Sequence, residues 1–270
     1  MPPSFLRPDK LSERYWLALS IAMLLAAFVL VMSQATFPPP RGPVPDAPSY
    51  TQQAVQMSQG NFISIPPVGE VGQSLGVTVG MHPSRYPPGS SAALLPFAAA
   101  PPVAEDGVSI GNAFYVWATV VIAAVCAALL AGSLAAFVAI WLLLGSTFLW
   151  SSAYIIMSDC FGALLALIVL LSIILHERMN SSRWAVACLA TAGMACGYAV
   201  ATRLSLIFLL PAALIVVRGW KARGIVVAAS IPFLAALAVY QWRVFGSPLT
   251  TGYDYWLPGM QEFRLDALWS

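Results

Sequence analysis

The sequence predicts an all-α membrane protein, a polytopic bundle of about seven transmembrane helices with a long extracytoplasmic first loop. Of its 270 residues, 59% are hydrophobic and only 9% are charged, whereas a soluble domain carries about 25% charged residues. No charged residue occurs between Asp106 and Asp159, and one membrane crossing needs about 20 apolar residues. The apolar runs that we predict to cross the membrane are 15–32, 113–131, 133–153, 160–175, 184–201, 204–217 and 224–242.

The same composition excludes three classes of protein. A water-soluble domain and an intrinsically disordered chain both need more charge and less apolar content. A nucleic-acid binder needs a basic face, but the net charge of this chain is only +2. The sequence also lacks a Walker loop, a Rossmann fingerprint, an HExxH motif and a nucleophile elbow. Because the predicted inner loops are too short to hold a nucleotide site, we expect any chemistry on the outer side, driven by a lipid-borne donor.

The first apolar run, 15–32, follows the basic residues Arg7, Lys10 and Arg14. This arrangement also occurs in signal peptides, and 33–35 (Ser-Gln-Ala) is a loose cleavage site. However, the apolar region of a signal peptide is usually about 7–15 residues long. The greater length favours an uncleaved first helix.

Residues 34–112 form the predicted extracytoplasmic loop and hold fourteen of the 21 prolines. The prolines that follow the first helix predict a stiff, extended exit from the membrane. Within the loop, 49–60 has one apolar side and an uncharged polar side, which predicts a short helix that can lie flat at the membrane surface. A second short apolar helix is predicted at 90–100, too short to span.

The positive-inside rule gives the orientation. The short loops 176–183 and 218–223 carry five of the basic residues, which indicates that they and the N-terminus are cytoplasmic. The chain then divides into a cytoplasmic N-terminus with the first helix (1–33), the outer loop (34–112), a six-helix transmembrane region (113–244) and an extracytoplasmic C-terminal segment (245–270). The run 204–217 is short and contains Pro211, so it can be tilted or re-entrant, and six crossings is the alternative count.

Four charges fall on the predicted outer side near the membrane: Asp46, Arg85, Asp159 and Arg203. Asp159 is either an acid favoured by the helix macrodipole or a second carboxylate facing the same cavity as Asp46. Arg203 either snorkels to the interface, pairs with Asp159, or clamps phosphate oxygens with its fork of donors. Such charges are costly near a membrane and are often functional.

Two further residues have two readings each, and one segment has a single reading. His82, beside Pro83, is a polar loop residue or a catalyst. Tyr253 belongs to an interfacial aromatic belt or to a binding site. The sequence 193–197 (GMACG) predicts close packing between helices, because small residues four apart let two backbones approach.

These residues together resemble the N-terminal part of the GT-C superfamily of integral-membrane glycosyltransferases, which includes protein mannosyltransferases and aminoarabinose transferases. The resemblance spans roughly 14–256 and rests on five segments in order: VPDAPSYTQQAVQMSQGNF, SRYPPGSSAALLPF, MSDCFGALLAL, GYAVATRLSLIFLLPAALI and FGSPLTTGYDYW. Family enzymes usually extend well beyond this length. The resemblance therefore implies an N-terminal portion or a short form.

The resemblance implies a polyprenyl-phosphate-linked sugar as donor and Asp46 as the general base on the acceptor hydroxyl. Asp159 would be the second catalytic acid, orienting the acceptor or tuning Asp46. The implied substrate-binding residues are Arg85, Arg203, Tyr50, His82, Tyr86 and Tyr253. Many family members carry a second acid beside the first, whereas Asp46 is followed by Ala47 and Pro48. We therefore assign no metal ligands, and a divalent metal is left open.

The implied activity is sugar transfer to an extracytoplasmic protein, lipid or glycan acceptor in the bacterial inner membrane. The expected partners are membrane lipid, the lipid-linked sugar and this acceptor, and nucleic acid is not among them. A non-catalytic membrane scaffold or partner subunit is one alternative. A lipid-linked sugar transporter is the other, although the sequence shows no inverted repeat and few charges within its helices.

Overall fold

The computed structural model describes residues 10–36, 46–62, 83–99, 104–179 and 182–256, and the regular structure within these ranges is entirely helical. The predicted all-α class is confirmed for this part of the chain. The helices are α1 (Lys10–Thr36), α2 (Asp46–Ser58), α3 (Gly89–Ala93), α4 (Leu95–Ala98), α5 (Ala104–Ala131), α6 (Ser133–Leu144), α7 (Thr147–Tyr154), α8 (Ser158–Arg178), α9 (Ser182–Thr202), a 3-10 helix (Leu204–Phe208), α10 (Leu209–Val216), α11 (Trp220–Phe245) and α12 (Gly252–Trp256).

Five of these helices are long and apolar enough to cross a membrane: Ser12–Ser33 within α1, Gly107–Ala131 within α5, α8, Arg183–Thr202 within α9, and α11. Each contains one of the seven predicted apolar runs. Helix α5 begins at Ala104, so the predicted boundary between loop and membrane region, at 112, falls inside a helix. The chain is therefore a multi-pass membrane protein by the length and composition of its helices.

The other two predicted runs form shorter, interrupted helices. The run 133–153 is split between α6 and α7, because Ser146 adopts an extended backbone conformation. The run 204–217 begins as a 3-10 helix and continues as α10. Pro211 lacks an N–H and is best tolerated in the first turn of an α-helix, and it lies in the first turn of α10, which begins at Leu209.

Side-chain contacts show how the long helices run relative to one another. Helices α5 and α8 are parallel: Thr119 Oγ1 lies 3.8 Å from Cys160 Sγ, and Cys126 Sγ donates to the Leu167 carbonyl at 3.9 Å. Helices α9 and α11 are also parallel, since α9 meets the backbone of α11 first at Val226 and one turn later at Ser230. The segments 132–157 and 203–219 must therefore carry the chain back along the bundle.

The bundle consequently has two distinct ends. One, the loop end, comprises α2, α3, α4 and α12 with the starts of α5 and α8 and the ends of α9 and α11. There the Phe161 and Tyr198 rings lie 5.6 Å apart. At the other, the basic end, His176 Nδ1 of α8 lies 3.2 Å from the Ala185 carbonyl of α9. The basic end also carries the exposed basic side chains of Arg14, Arg178, Arg183, Arg218, Lys221 and Arg223.

The close helix packing predicted at 193–197 is confirmed. A Cβ atom on Gly193 would overlap the Val226 carbonyl, and one on Gly197 would overlap the Ser230 carbonyl. Around this contact, α8, α9 and α11 bury an apolar cluster. A second cluster fills the space between α1, α5, α6 and α7.

Helix α2 covers most of the short helix predicted at 49–60, and its polar side is partly buried in the protein. It begins at Asp46 and packs against α3, α4 and α5, and both its apolar and several of its polar side chains are buried. Its polar side finds hydrogen-bond partners inside the protein, which removes the cost of burying it. The predicted helix at 90–100 is two short helices, α3 and α4, with Pro96 in the first turn of α4.

Candidate functional site

Three tyrosines that are distant in the sequence form a cluster at the loop end. The Tyr50 and Tyr86 rings lie 4.7 Å apart, and the Tyr86 and Tyr253 rings lie 5.8 Å apart at right angles. The Arg85 guanidinium carbon lies 5.5 Å from the Tyr86 ring and 5.1 Å from the Tyr253 ring. Aromatic faces attract a cation at this range. The structure therefore brings together four of the sequence-predicted site residues, to which we refer as the Tyr–Arg cluster.

The contacts with these two rings do not satisfy all the N–H donors of the Arg85 side chain. This side chain is half-buried, and its Nε is buried with no hydrogen-bond partner among the residues that the structure describes. A buried donor that stays unpaired costs about 1–3 kcal/mol. This N–H is suited to an acceptor atom that the described part of the chain does not provide.

Helix α12 begins with a capping box and lies against the backbone of Arg85. The Asp254 carboxylate accepts hydrogen bonds from the Thr251 N–H and hydroxyl, both at 2.7 Å, and Thr251 Oγ1 accepts the Asp254 N–H at 3.3 Å. A Cβ on Gly252 would overlap the carbonyl oxygens of Ser84 and Arg85, so glycine allows the two backbones to meet. Tyr253 therefore packs into the protein at this point. The Thr-x-x-Asp spacing was the sequence signal for the start of α12, but not for its contact with Arg85.

Asp159 and Arg203 form an ion pair between the start of α8 and the residue that follows α9. This confirms the pairing that the sequence offered as one explanation of Arg203. The side chains are 31% and 47% exposed respectively, and the bridge engages Nη1 of a guanidinium that has five N–H donors. Arg203 thus keeps N–H donors that this bridge does not use, while Asp159 orients it.

The ion pair and the Tyr–Arg cluster are joined by a hydrogen bond. The Tyr50 hydroxyl donates to Ser158 Oγ at 3.0 Å, and Ser158 directly precedes Asp159. Near the other partner of the bridge, a Cβ on Gly89 would overlap the Ala201 carbonyl. The loop-end helices therefore pack beside both residues of the ion pair.

A buried hydrogen-bond network, which the sequence reasoning missed, holds α2 in place. Gln53 is 2% exposed; its Oε1 accepts from Ser91 Oγ at 2.8 Å, and its Nε2 donates to the Tyr240 hydroxyl at 3.4 Å. The Ser91 hydroxyl also lies 3.1 Å from the Tyr50 carbonyl. Gln53 lies three residues after Tyr50, on the same face of the helix. The sequence shows this spacing, but it does not show which residues form hydrogen bonds with Gln53.

Two predicted site residues cannot be placed in this geometry. Asp46 is the first residue of α2, but its side chain lies outside what the structure describes, and His82 lies outside the described residues altogether. Among the described side chains, no group of three or more His, Cys, Asp or Glu comes together in a way that could hold a metal.

The arrangement at the loop end is suited to binding an anionic ligand with a polar, ring-shaped part. Arginine binds phosphate oxygens through paired N–H donors, and tyrosines present apolar faces with polar tips. Comparison of the chain with models of protein families, with curated proteins and with solved structures finds no match, so the glycosyltransferase family remains a prediction.

Proposed function

We propose that the chain crosses a bacterial inner membrane seven times, with its N-terminus in the cytoplasm. The parallel α5–α8 and α9–α11 pairs support two further crossings, by α6 with α7 and by the 3-10 helix with α10. Basic residues concentrate at the end where α1 begins, as expected for a cytoplasmic end. The loop end, with its site residues, is then extracytoplasmic.

We further propose that this site transfers a sugar from a polyprenyl-phosphate donor to an extracytoplasmic acceptor. The observation that carries the proposal is the convergence of Tyr50, Arg85, Tyr86 and Tyr253 near the Asp159–Arg203 pair. Each of these residues lies in one of the five segments that carry the family resemblance, and every one of the five segments contributes at least one of them.

In the proposed reaction the acceptor oxygen bonds to the anomeric carbon, and the bond from that carbon to the lipid phosphate breaks. Asp46 takes the acceptor's proton, and the phosphate leaves with the bonding electron pair. Arg203, oriented by Asp159, and the Nε of Arg85 stabilise the phosphate as its charge grows. Tyr253, which is only half-buried, packs against the sugar or the acceptor, while the two buried tyrosines of the Tyr–Arg cluster support it and Arg85 from below.

The test is transfer by membranes that are supplied with lipid-linked sugar. Asp46→Asn is expected to lower the rate about 10²- to 10⁴-fold, the usual contribution of a general base. Glu177→Gln, an exposed acid at the basic end, is the matched control and should retain activity. Undiminished transfer by Asp46→Asn in correctly folded protein would remove Asp46 from this role.

One observation favours a second candidate, a non-catalytic partner subunit. Tyr50 and Tyr86 are 3% and 4% exposed, and Asp159 is already paired, so these side chains make the loop end rigid and offer a substrate little surface. A partner subunit would leave transfer unchanged in Asp46→Asn but lose its partner on co-purification when Arg85 is replaced by Gln. The transferase loses transfer in both variants.

A further inference from the structure

The basic end holds an open cavity between the first turn of α1 and the start of α6. Glu13, Arg14, Leu17 and Ser133 line it, and its volume is about 230 Å³. It lies at the far end of the bundle from the Tyr–Arg cluster. The proposed transferase reaction therefore makes no use of it.

The lining of the cavity carries one acid and one base that do not neutralise each other. Glu13 and Arg14 are both exposed, and the Asp159–Arg203 bridge is the sole ion pair found within the described ranges. Neighbouring helix positions point about 100° apart, so the carboxylate and the guanidinium reach different parts of the cavity. Ser133 adds a hydroxyl that can donate or accept.

The cavity lies at the start of a candidate membrane span, which is where the headgroup layer of a membrane is expected. The first candidate span runs from Ser12 to Ser33, so Glu13 and Arg14 lie at its boundary. A ligand held here has access to the acyl region of the membrane. Exposed Tyr15 beside them is the kind of residue that is enriched at such an interface.

Apolar tracks lead away from the cavity along both helices. On α1, Leu17, Ile21 and Leu25 are each more than half exposed, and their spacing of four residues keeps them on one face. On α6, Leu134, Val138 and Leu142 repeat this spacing and are 48%, 41% and 60% exposed. The Trp16 and Phe137 rings, 5.1 Å apart, join the two helices near the cavity.

We propose that this cavity binds an aminophospholipid, with the headgroup phosphate on Arg14 and Ser133 and the primary ammonium on Glu13. The acyl chains lie along the apolar tracks of α1 and α6. One acid and one base match a net-neutral headgroup, whereas an anionic headgroup would face the Glu13 carboxylate. A primary ammonium donates hydrogen bonds to a carboxylate, which the quaternary ammonium of a choline lipid cannot do.

The test is native mass spectrometry of the full chain, purified in detergent and exposed to equal amounts of phosphatidylethanolamine, phosphatidylglycerol and phosphatidylcholine. The wild-type protein is expected to retain phosphatidylethanolamine over both others. Glu13→Gln should reduce this preference about two- to fivefold, the scale of an exposed ion pair. Arg14→Gln should weaken retention of all three lipids, since each carries a phosphate.

Two controls separate this result from a general loss of lipid. Glu13→Asp keeps the charge and should keep the preference, and Arg183→Gln removes a basic residue elsewhere at the same end and should change no ratio. Free phosphoethanolamine should compete only at much higher concentration, because it lacks acyl chains. Equal retention of the three lipids, a preference for phosphatidylglycerol, or an unchanged ratio in Glu13→Gln would overturn the proposal.

Discussion

The centre of the bundle and its loop end are held together by different interactions. Where α9 meets α11, glycines bring two backbones together and apolar side chains fill the surroundings. At the loop end, α2 is held by hydrogen bonds that join Tyr50 and Gln53 with residues of α3, α8 and α11. Close packing depends on shape and tolerates little added volume. A hydrogen-bond network fixes orientation and fails when one partner is lost.

The largest effect is expected from added volume at the centre. Gly193→Val places a side chain against the Val226 backbone, which should destabilise the protein by about 3 kcal/mol or more, the upper range for overpacking. The measurement is the unfolding midpoint of the purified protein in detergent. Gly224→Val on α11 is the control, because a Cβ there meets no atom within 4 Å. Equal midpoints for both variants would contradict the close-packing account.

A smaller effect, confined to the loop end, is expected from Gln53→Leu. This change leaves the buried Ser91 hydroxyl and the half-buried Tyr240 hydroxyl without their amide partner and should cost about 1–3 kcal/mol. Hydrogen exchange should rise in α2, with little change in α9 and α11. Gln59→Leu is the control, since Gln59 is exposed at the end of α2. If exchange rose equally across the bundle, the loop end would not be a separately held region.

The smallest effect is expected at the Asp159–Arg203 pair. Both side chains are partly exposed, and such pairs contribute about 0.2–1 kcal/mol. A double-mutant cycle with Asp159→Asn and Arg203→Gln measures this coupling in the unfolding free energy. A coupling of about 3 kcal/mol would instead mean that the pair is desolvated, and the pair would then be a main structural contact of the loop end.

The sequence alone determined where the long helices lie. A run of about 20 apolar residues must satisfy its backbone hydrogen bonds internally, and a helix does so locally. Five apolar runs therefore lie in helices long enough to cross a membrane. The packing at 193–197 was predictable for a similar reason, because the spacing of small residues is itself local.

The candidate site was predicted only in part. The sequence selected Tyr50, Arg85, Tyr86 and Tyr253, and the structure brings them together, but it gave no indication that Gln53 and Tyr240 hold α2 in place. The proposed chemistry depends most on Asp46, and the catalytic role of its side chain stays a prediction. Hydrogen-bond partners separated by 187 residues follow no sequence periodicity, so no pattern in α2 could name them.

The class of protein and its long helices thus follow from hydrophobicity and local hydrogen bonding, both of which can be read along the chain. The tertiary structure decided the burial of α2, the Asp159–Arg203 pair and the parallel α5–α8 and α9–α11 pairs. The physical reason is that burying a polar side chain is costly unless it finds a hydrogen-bond partner there. The position of that partner depends on how the whole bundle assembles.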